Sequence, residues 1–292
     1  MSLKGIILAG GLSSRLYPAT KVITKQLVPI YDKPMIYYPL TTLMMANIKE
    51  VLFITNPSDS HLFKLLLGDG SQWGMKFEFV VQDSPRGLAD AFIVGEKFVD
   101  GKPVTMILGD NIFWGHGFIE EVRNGIYDIF TNNGATVFSY WVNDPERYGV
   151  AEFDPTGKVV HIEEKPKEPK SNYAITGLYC YDGNVSEYAH QVKPSARGEI
   201  EITTLNQMYL DKGLLRVKKL GRGVAWLDTG THEAMSEASL FVETIQKRQG
   251  QLIACPEEIA YQLGYITAEQ VLQLAEPMKK NHYGQYLISM VK

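Results

Sequence analysis

The sequence predicts an α/β fold: a Rossmann-like, mostly parallel sheet flanked by helices, carrying an inserted β-hairpin substrate lobe and a C-terminal helical tail. Three observations predict it. Up to residue 142, short apolar runs alternate with stretches of helical spacing, which is the βαβα signature of a parallel sheet. From Tyr148 the texture changes to hairpin signals and aromatic strands. Beyond residue 231 only helical spacing remains. The division that follows is a core over residues 1–230, including the insertions, and a helical subdomain over residues 231–292.

The elements follow in order. Residues 5–8 form a first apolar strand, which stops at Gly10-Gly11. The Tyr31-Asp32-Lys33-Pro34 run reads as a turn before a buried helix over residues 35–47. Strands at 51–55, 77–81 and 104–108 alternate with helices at 61–67, 88–98 and 119–130, and a further strand covers 135–142. Asp154-Pro155-Thr156-Gly157 turns a hairpin between strands at 150–153 and 159–163. A strand at 173–181, a helix at 201–212 closed by Gly213 and a strand at 215–220 extend the same sheet. The tail begins with a helix over 233–248 that sets Ala234, Ala238, Phe241, Val242 and Ile245 on one face, with Gly250 past its end. Short helices at 257–263 and 268–275 follow.

Composition narrows the function. In 292 residues, 45% are hydrophobic and 21% charged, the make-up of an ordinary globular chain with a sizeable core. The net charge is −4, with no basic patch, which argues against nucleic acid as a partner. The longest apolar stretch, over residues 35–46, falls short of a membrane span and contains Pro39, so no membrane association is expected. Cys180 and Cys255 form no metal or disulfide pattern, which with the lack of a signal sequence favours a reducing cytoplasm. Asn184-Val185-Ser186 matches a glycosylation sequon, expected to be a chance match.

In open α/β sheets ligands gather beyond the carboxyl ends of the strands. Three such ends are polar here: residues 10–15, 82–87 and 109–111. The first, Gly10-Gly11-Leu12-Ser13-Ser14-Arg15 with Lys25 nearby, suits an anion cradle, where glycines bring backbone N–H groups close to an oxyanion and cations add charge. It equally suits a tight turn with two surface cations, and it matches no standard phosphate loop. Asp110 follows Gly109 at a strand end, where a carboxylate can hold a divalent cation. Asp228 precedes a helix and could hold the same cation or cap that helix. The Gln82 amide could read a nucleobase edge or lie in a surface loop. Glu163, Glu164, Lys165 and Arg197 could meet a sugar phosphate or form a solvated charge cluster. The six histidines show no metal spacing; His232-Glu233 lacks a second histidine four residues on.

Taken together, Leu8-Ala9-Gly10-Gly11 with Arg15, Leu16, Pro18 and Lys25, then Gly109-Asp110-Asn111, Glu163-Glu164-Lys165-Pro166 and Trp226-Leu227-Asp228-Thr229-Gly230, resemble the sugar-1-phosphate nucleotidylyltransferases. Lys33-Pro34-Met35-Ile36-Tyr37-Tyr38-Pro39, Gly68-Asp69-Gly70-Ser71-Gln72-Trp73-Gly74 and Gly284-Gln285-Tyr286-Leu287 are similar to the members that make dTDP-glucose. The likeness runs over almost the whole chain.

The resemblance implies transfer of dTMP from dTTP to glucose 1-phosphate, with release of pyrophosphate and with Mg²⁺ as cofactor. This is the first step toward dTDP-rhamnose and related deoxysugars. It implies Gly10, Gly11, Arg15 and Lys25 at the triphosphate, Asp110 and Asp228 at the metal, and Gln82 and Gly87 at the thymine. Tyr148, Gly149, Glu164, Lys165, Arg197 and Trp226 would line the sugar-phosphate side, with Lys165 joining Arg15, Lys25 and Asp110 in catalysis. It further implies a homotetramer with feedback by dTDP-rhamnose at a second site, for which Gly115, His116, Arg222, Glu258 and Ile259 are candidates. The rival readings are a UDP- or other NDP-glucose pyrophosphorylase and a silent sugar-nucleotide-binding regulator.

Two departures stand out. The family loop usually reads Gly-Gly-x-Gly-Thr-Arg-Leu, but Ser13 and Ser14 replace Gly-Thr. A left-handed backbone at Ser13 would cost about 1–2 kcal/mol. Asp83 and Arg86 stand where relatives often carry Pro and Asp, beside the expected base site, and could alter the choice between dTTP and UTP.

Overall fold

The computed structural model describes residues 3–11 and 13–292. The chain opens with β1 (Lys4–Ala9), buried along its whole length. Two 3-10 turns, Ser14–Leu16 and Lys25–Leu27, lead to a minimal hairpin of β2 (Pro29–Ile30) and β3 (Lys33–Pro34). Then come α1 (Tyr37–Met45), β4 (Glu50–Thr55), α2 (Ser60–Leu67), β5 (Lys76–Val81), α3 (Asp90–Val94), α4 (Glu96–Val99) and β6 (Val104–Leu108). Strands β5, β4, β1 and β6 lie side by side and parallel, so their carboxyl ends share one edge. The inner strands β1, β4 and β6 are mostly apolar and buried because helices cover both faces, whereas β5 at the edge exposes Lys76 and Glu78.

The helix expected over residues 88–98 is two, meeting at Gly95. A Cβ there would lie 2.8 Å from Ala91 O and 3.1 Å from Leu52 Cδ2, so only glycine lets the chain pass this close over the sheet.

After β6 come β7 (Asn111–Gly115), α5 (Phe118–Asn132), β8 (Ala135–Trp141), β9 (Gly149–Phe153), β10 (Val159–Glu164) and β11 (Tyr173–Tyr181). The nine-residue β11 joins the two halves of the sheet. Its carboxyl half runs antiparallel to β6, through Leu178↔Ile107, while Ala174 near its start pairs with Val150 of β9. Along that edge β6 and β9 diverge, and the fork opens at Gly177. The other edge of β11 carries β8, and β12 (Leu215–Lys219) runs parallel to β8. The inserted strands therefore extend the same sheet.

Helices α6 (Val185–Gln191) and α7 (Ile202–Asp211) cover the second half, followed by β13 (Val224–Asp228). Periodicity gave no sign of α6, where Ser186 of the sequon match is buried. Nor did it reveal β7 and β13, which pair antiparallel with each other in a small sheet of their own.

The tail is helical: α8 (His232–Gln249), α9 (Pro256–Gln262), α10 (Ala268–Ala275) and α11 (His282–Met290). It is bound to the core by buried polar links. Lys33 donates to Gln246 Oε1 at 2.9 Å, and Glu257 accepts from Trp73 Nε1 at 3.2 Å; within the tail Glu257 also accepts from Tyr283 OH at 2.6 Å. Glycine at 284 is forced by close approach, since a Cβ there would lie 2.1 Å from Met278 O. Among the described residues no helix is long and apolar enough to cross a membrane.

Candidate active site

The three polar strand ends converge on the shared edge of the parallel half, beyond β1, β5 and β6. A fourth, missed in the sequence, completes them: Asn56, directly after β4. Its side chain clamps the glycine loop, accepting from Gly11 N and donating to Gly11 O, both at 3.0 Å. Gly11 has φ +104, a value that glycine adopts freely. Leu12 lies outside the described residues. Ser13 follows with φ 50 and ψ 26, the left-handed conformation its departure from the family pattern raised as a question. Arg15 is exposed in the first 3-10 turn, and Leu16 anchors that turn in the core.

Lys25 reaches the end of β6, where its ammonium pairs with Asp110 Oδ2. Asp110 Oδ1 accepts from Asn111 Nδ2 at 3.0 Å. Asp228 arrives from the far end of the chain by strand pairing. It stands opposite Asn111 in the β7–β13 ladder, and Thr229 Oγ1 donates to Asp110 O at 2.8 Å. The two carboxyl groups titrate apart. Burial pushes the Asp228 carboxyl up to about 6, and the Asp110 charge adds to that. Burial opposes ionisation of Asp110 too, but the Lys25 ammonium overrides it and holds that carboxyl below the usual range. Two half-buried carboxylates that repel each other are a fitting donor set for a divalent cation, and Asp110 keeps lone pairs beyond those given to Lys25 and Asn111.

The remaining walls enclose a cleft of about 270 Å³ at the fork between β6 and β9. Tyr148, Gly149, Glu164, Lys165, Arg197, Trp226 and both aspartates line it. Lys165 sits just past β10 with φ 45, a left-handed conformation unusual for a side chain of its size, and its backbone N–H donates to Tyr148 O at 3.0 Å. Its ammonium lies 3.3 Å from Glu164 Oε1, and the Arg197 guanidinium lies 3.7 Å from the same oxygen. Glu164 Oε2 accepts from Thr203 on α7. The Trp226 ring packs on Tyr148, with centroids 5.2 Å apart, and its N–H donates to Asn111 Oδ1 at 2.7 Å. Burial pushes the Tyr148 hydroxyl up to about 12, so it stays protonated.

Gln82 and Gly87 lie on the other side of the glycine loop. Gln82 is buried, and Gly87 has φ +102 and presses on the backbone of Ile200, where a Cβ would lie 2.5 Å from the carbonyl oxygen. Gly115, His116 and Arg222 lie together away from this edge, because Gly115 pairs with Val224 and packs on Gly223. Glu258 and Ile259 lie on α9, with Ile259 in the core. Among the described residues no hydrogen bond or ion pair joins these two to the first three.

Sequence reasoning missed Asn56, Arg147, Glu199, Glu201 and Thr203. Arg147 lies 3.9 Å from Asp228 and 2.7 Å from Asp144; its position directly before Tyr148-Gly149 was the one available signal. Thr203 and the two glutamates line the cleft only because α7 docks on β10, which no local pattern encodes.

Comparisons with known proteins identify the family. A family model described as nucleotidyl transferase matches residues 4–245. A glucose-1-phosphate thymidylyltransferase of Xanthomonas campestris pv. campestris is 59% identical over 289 residues, covering 99% of this chain and 97% of its own length. Proteins of the same description from Neisseria meningitidis and Mycobacterium tuberculosis are 54% and 49% identical, each over 99% of this chain and 100% and 99% of their own. Among solved structures, a Bacillus anthracis protein provisionally assigned the same activity, complexed with sucrose, matches with a TM-score of 0.74 at 42% identity. The match covers 82% of this chain and 95% of that one. A UDP-glucose pyrophosphorylase complexed with UDP-glucose has a TM-score of 0.73 at 24% identity, over 84% of this chain and 100% of its own, which is a likeness of fold alone.

Proposed function

The chain belongs to the nucleotidyl transferase family, and we propose that it transfers dTMP from dTTP to α-D-glucose 1-phosphate, giving dTDP-glucose and pyrophosphate. The near-full-length likeness to thymidylyl-transferring relatives supports this choice of nucleotide and sugar. The observation that carries the chemistry is the Lys25–Asp110 pair with Asp228 beside it, between the glycine loop and the cleft.

In the reaction a phosphate oxygen of glucose 1-phosphate attacks the α-phosphorus of dTTP. A new P–O bond forms in line with the bond to the β-phosphate, which breaks and leaves with pyrophosphate. The attacking oxygen is already anionic, so no general base is needed, consistent with a site that has no histidine among its named residues. Catalysis then rests on positioning and charge. Gly10 and Gly11 bring the backbone of the loop against the triphosphate, with the Gly11 N–H held by Asn56 Oδ1, and Arg15 and Lys25 offset the charge that grows on it. Tyr148, Gly149, Glu164 and Trp226 hold the sugar, and Lys165 and Arg197 meet its phosphate. Gln82 and Gly87 face the thymine. Asp110 and Asp228 would hold Mg²⁺, which when bound neutralises phosphate charge.

Pyrophosphate release with glucose 1-phosphate and each nucleoside triphosphate, in Mg²⁺ and in EDTA, tests the reading. Turnover with dTTP that stops in EDTA is expected; a clear preference for UTP, or full activity in EDTA, overturns the corresponding part. Assembly as a homotetramer in the cytoplasm, with dTDP-rhamnose feeding back at the Gly115–Arg222 surface, extends the same proposal. Sedimentation and a count of nucleotide sites per chain test it; a monomer, or one site per chain, overturns it.

A further inference from the structure

Gln82 follows β5, and its backbone N–H donates to Thr55 O at 2.9 Å. Its side-chain nitrogen donates to Asp90 Oδ2 at 2.6 Å. Asp90 opens α3 and is wholly buried. Arg86 grips it from the solvent side: one guanidinium nitrogen lies 3.0 Å from Asp90 Oδ1, and Nε donates to Oδ2 at 3.3 Å. A carboxylate paired with arginine accepts hydrogen bonds and cannot donate them, so it dictates which end of the Gln82 amide faces it. The nitrogen turns to Asp90, and the carbonyl is left toward the glycine loop. There Oε1 lies 3.6 Å from where a Cβ on Gly10 would stand, and it takes no hydrogen bond among the described residues.

A buried carboxylate is a costly way to satisfy one amide. A neutral asparagine at position 90 could partner the Gln82 amide in either orientation. What the charge adds is a single orientation. We propose that Asp90 is a positioning residue that sets base selectivity: it locks the Gln82 carbonyl toward the nucleobase. The site then takes a pyrimidine that donates at N3, thymine or uracil, and rejects cytosine, which accepts there. The inference rests on the reading above that Gln82 meets the base. A site whose buried polar group is left unpaired by the wrong ligand discriminates strongly, which gives this lock leverage.

The test is kcat/KM for dTTP and for dCTP, each with glucose 1-phosphate, in the wild type and in Asp90→Asn, with melting curves to confirm folding. The dTTP-over-dCTP ratio should fall at least tenfold in the variant. A residue needed only for folding would lower both values alike, and an unchanged ratio in folded Asp90→Asn overturns the inference. If that variant does not fold, Arg86→Met takes its place. Arg86 is largely exposed, and its loss removes the guanidinium that holds the Asp90 carboxylate against Gln82, so the ratio should fall in the same direction. An unchanged ratio there overturns the inference equally. A wild type that uses dTTP or UTP while the variants leave the ratio unchanged sinks only the Asp90 role. A wild type that prefers dCTP or a purine nucleotide sinks both this role and the reading it rests on.

Discussion

Asp228 stands opposite Asn111 in the β7–β13 ladder, and this register sets it beside Asp110 although 118 residues of sequence number separate the two aspartates (228 − 110). The pairing brings together two carboxylates that disfavour each other. Burial and the Asp110 charge raise the Asp228 carboxyl to about 6. An acid whose pKa is raised by folding binds its proton more tightly in the folded state, so ligand-free stability falls as pH rises from about 4 to about 6. Asp228→Asn removes that cost. In EDTA it should be more stable than the wild type above pH 6, by on the order of 1 kcal/mol and so with a higher melting temperature, and the difference should vanish toward pH 4. Thermal melts across this range check it. Turnover in Mg²⁺ should fall at least a hundredfold, and a variant both less stable and still active would contradict the assignment.

How much of this was legible beforehand follows the range of the interactions. The strand ends at Gly10, Gln82 and Asp110 could be read because periodicity marks where an apolar run stops, and the parallel sheet places those stops on one edge. The hairpin at Asp154-Pro155-Thr156-Gly157 could be read because turn chemistry is local. Strands β7 and β13 could not. Each is five residues long, and Asn111 at the head of β7 looks like the continuation of a turn. The pairing that makes them strands is contributed by a partner more than a hundred residues away. Arg147 and Thr203 were hidden for the same reason, since only tertiary docking gives them a role.

Asn111 is the joint of the site. Its side-chain oxygen accepts from Trp226 Nε1 at 2.7 Å and from Gly177 N at 3.1 Å, and its nitrogen donates to Asp110. Asn111→Ala leaves two buried donors without a partner, at about 1–3 kcal/mol each. We expect a loss of about 2–4 kcal/mol in urea unfolding and a fall in kcat of about 10- to 100-fold, as Asp110 and Trp226 lose their alignment. A variant with wild-type kcat would show that Asp110 is held well enough by Lys25 alone.

Ser13 carries strain that the reaction does not need. It is left-handed, its hydroxyl is buried with no hydrogen-bond partner among the described residues, and its carbonyl accepts from Thr20 Oγ1 at 2.8 Å. Ser13→Gly relieves about 1–2 kcal/mol of backbone cost against the greater freedom of glycine in the unfolded chain, roughly 0.5–1 kcal/mol. The net gain should be up to about 1 kcal/mol, with kcat/KM for dTTP unchanged, as thermal melts and steady-state kinetics would read it. A loss of activity would mean that the Ser13 side chain itself contributes to the loop.

Lys165 poses the opposite case, strain at a residue whose side chain the proposed reaction uses. With φ 45, it turns the chain sharply after β10 and carries its ammonium beside Glu164 in the cleft. Lys165→Ala and Lys165→Gly remove the same charge but differ in backbone. Both should lose at least a hundredfold in kcat/KM, because a cation that meets the transferring phosphates is gone from both. Only the glycine variant is free of the left-handed penalty, so it should be more stable than the alanine variant by on the order of 1 kcal/mol. Parallel melts and kinetics on the pair separate the two contributions. Equal stabilities would mean that the turn relaxes in the alanine variant, and a glycine variant that keeps its activity would remove Lys165 from the reaction.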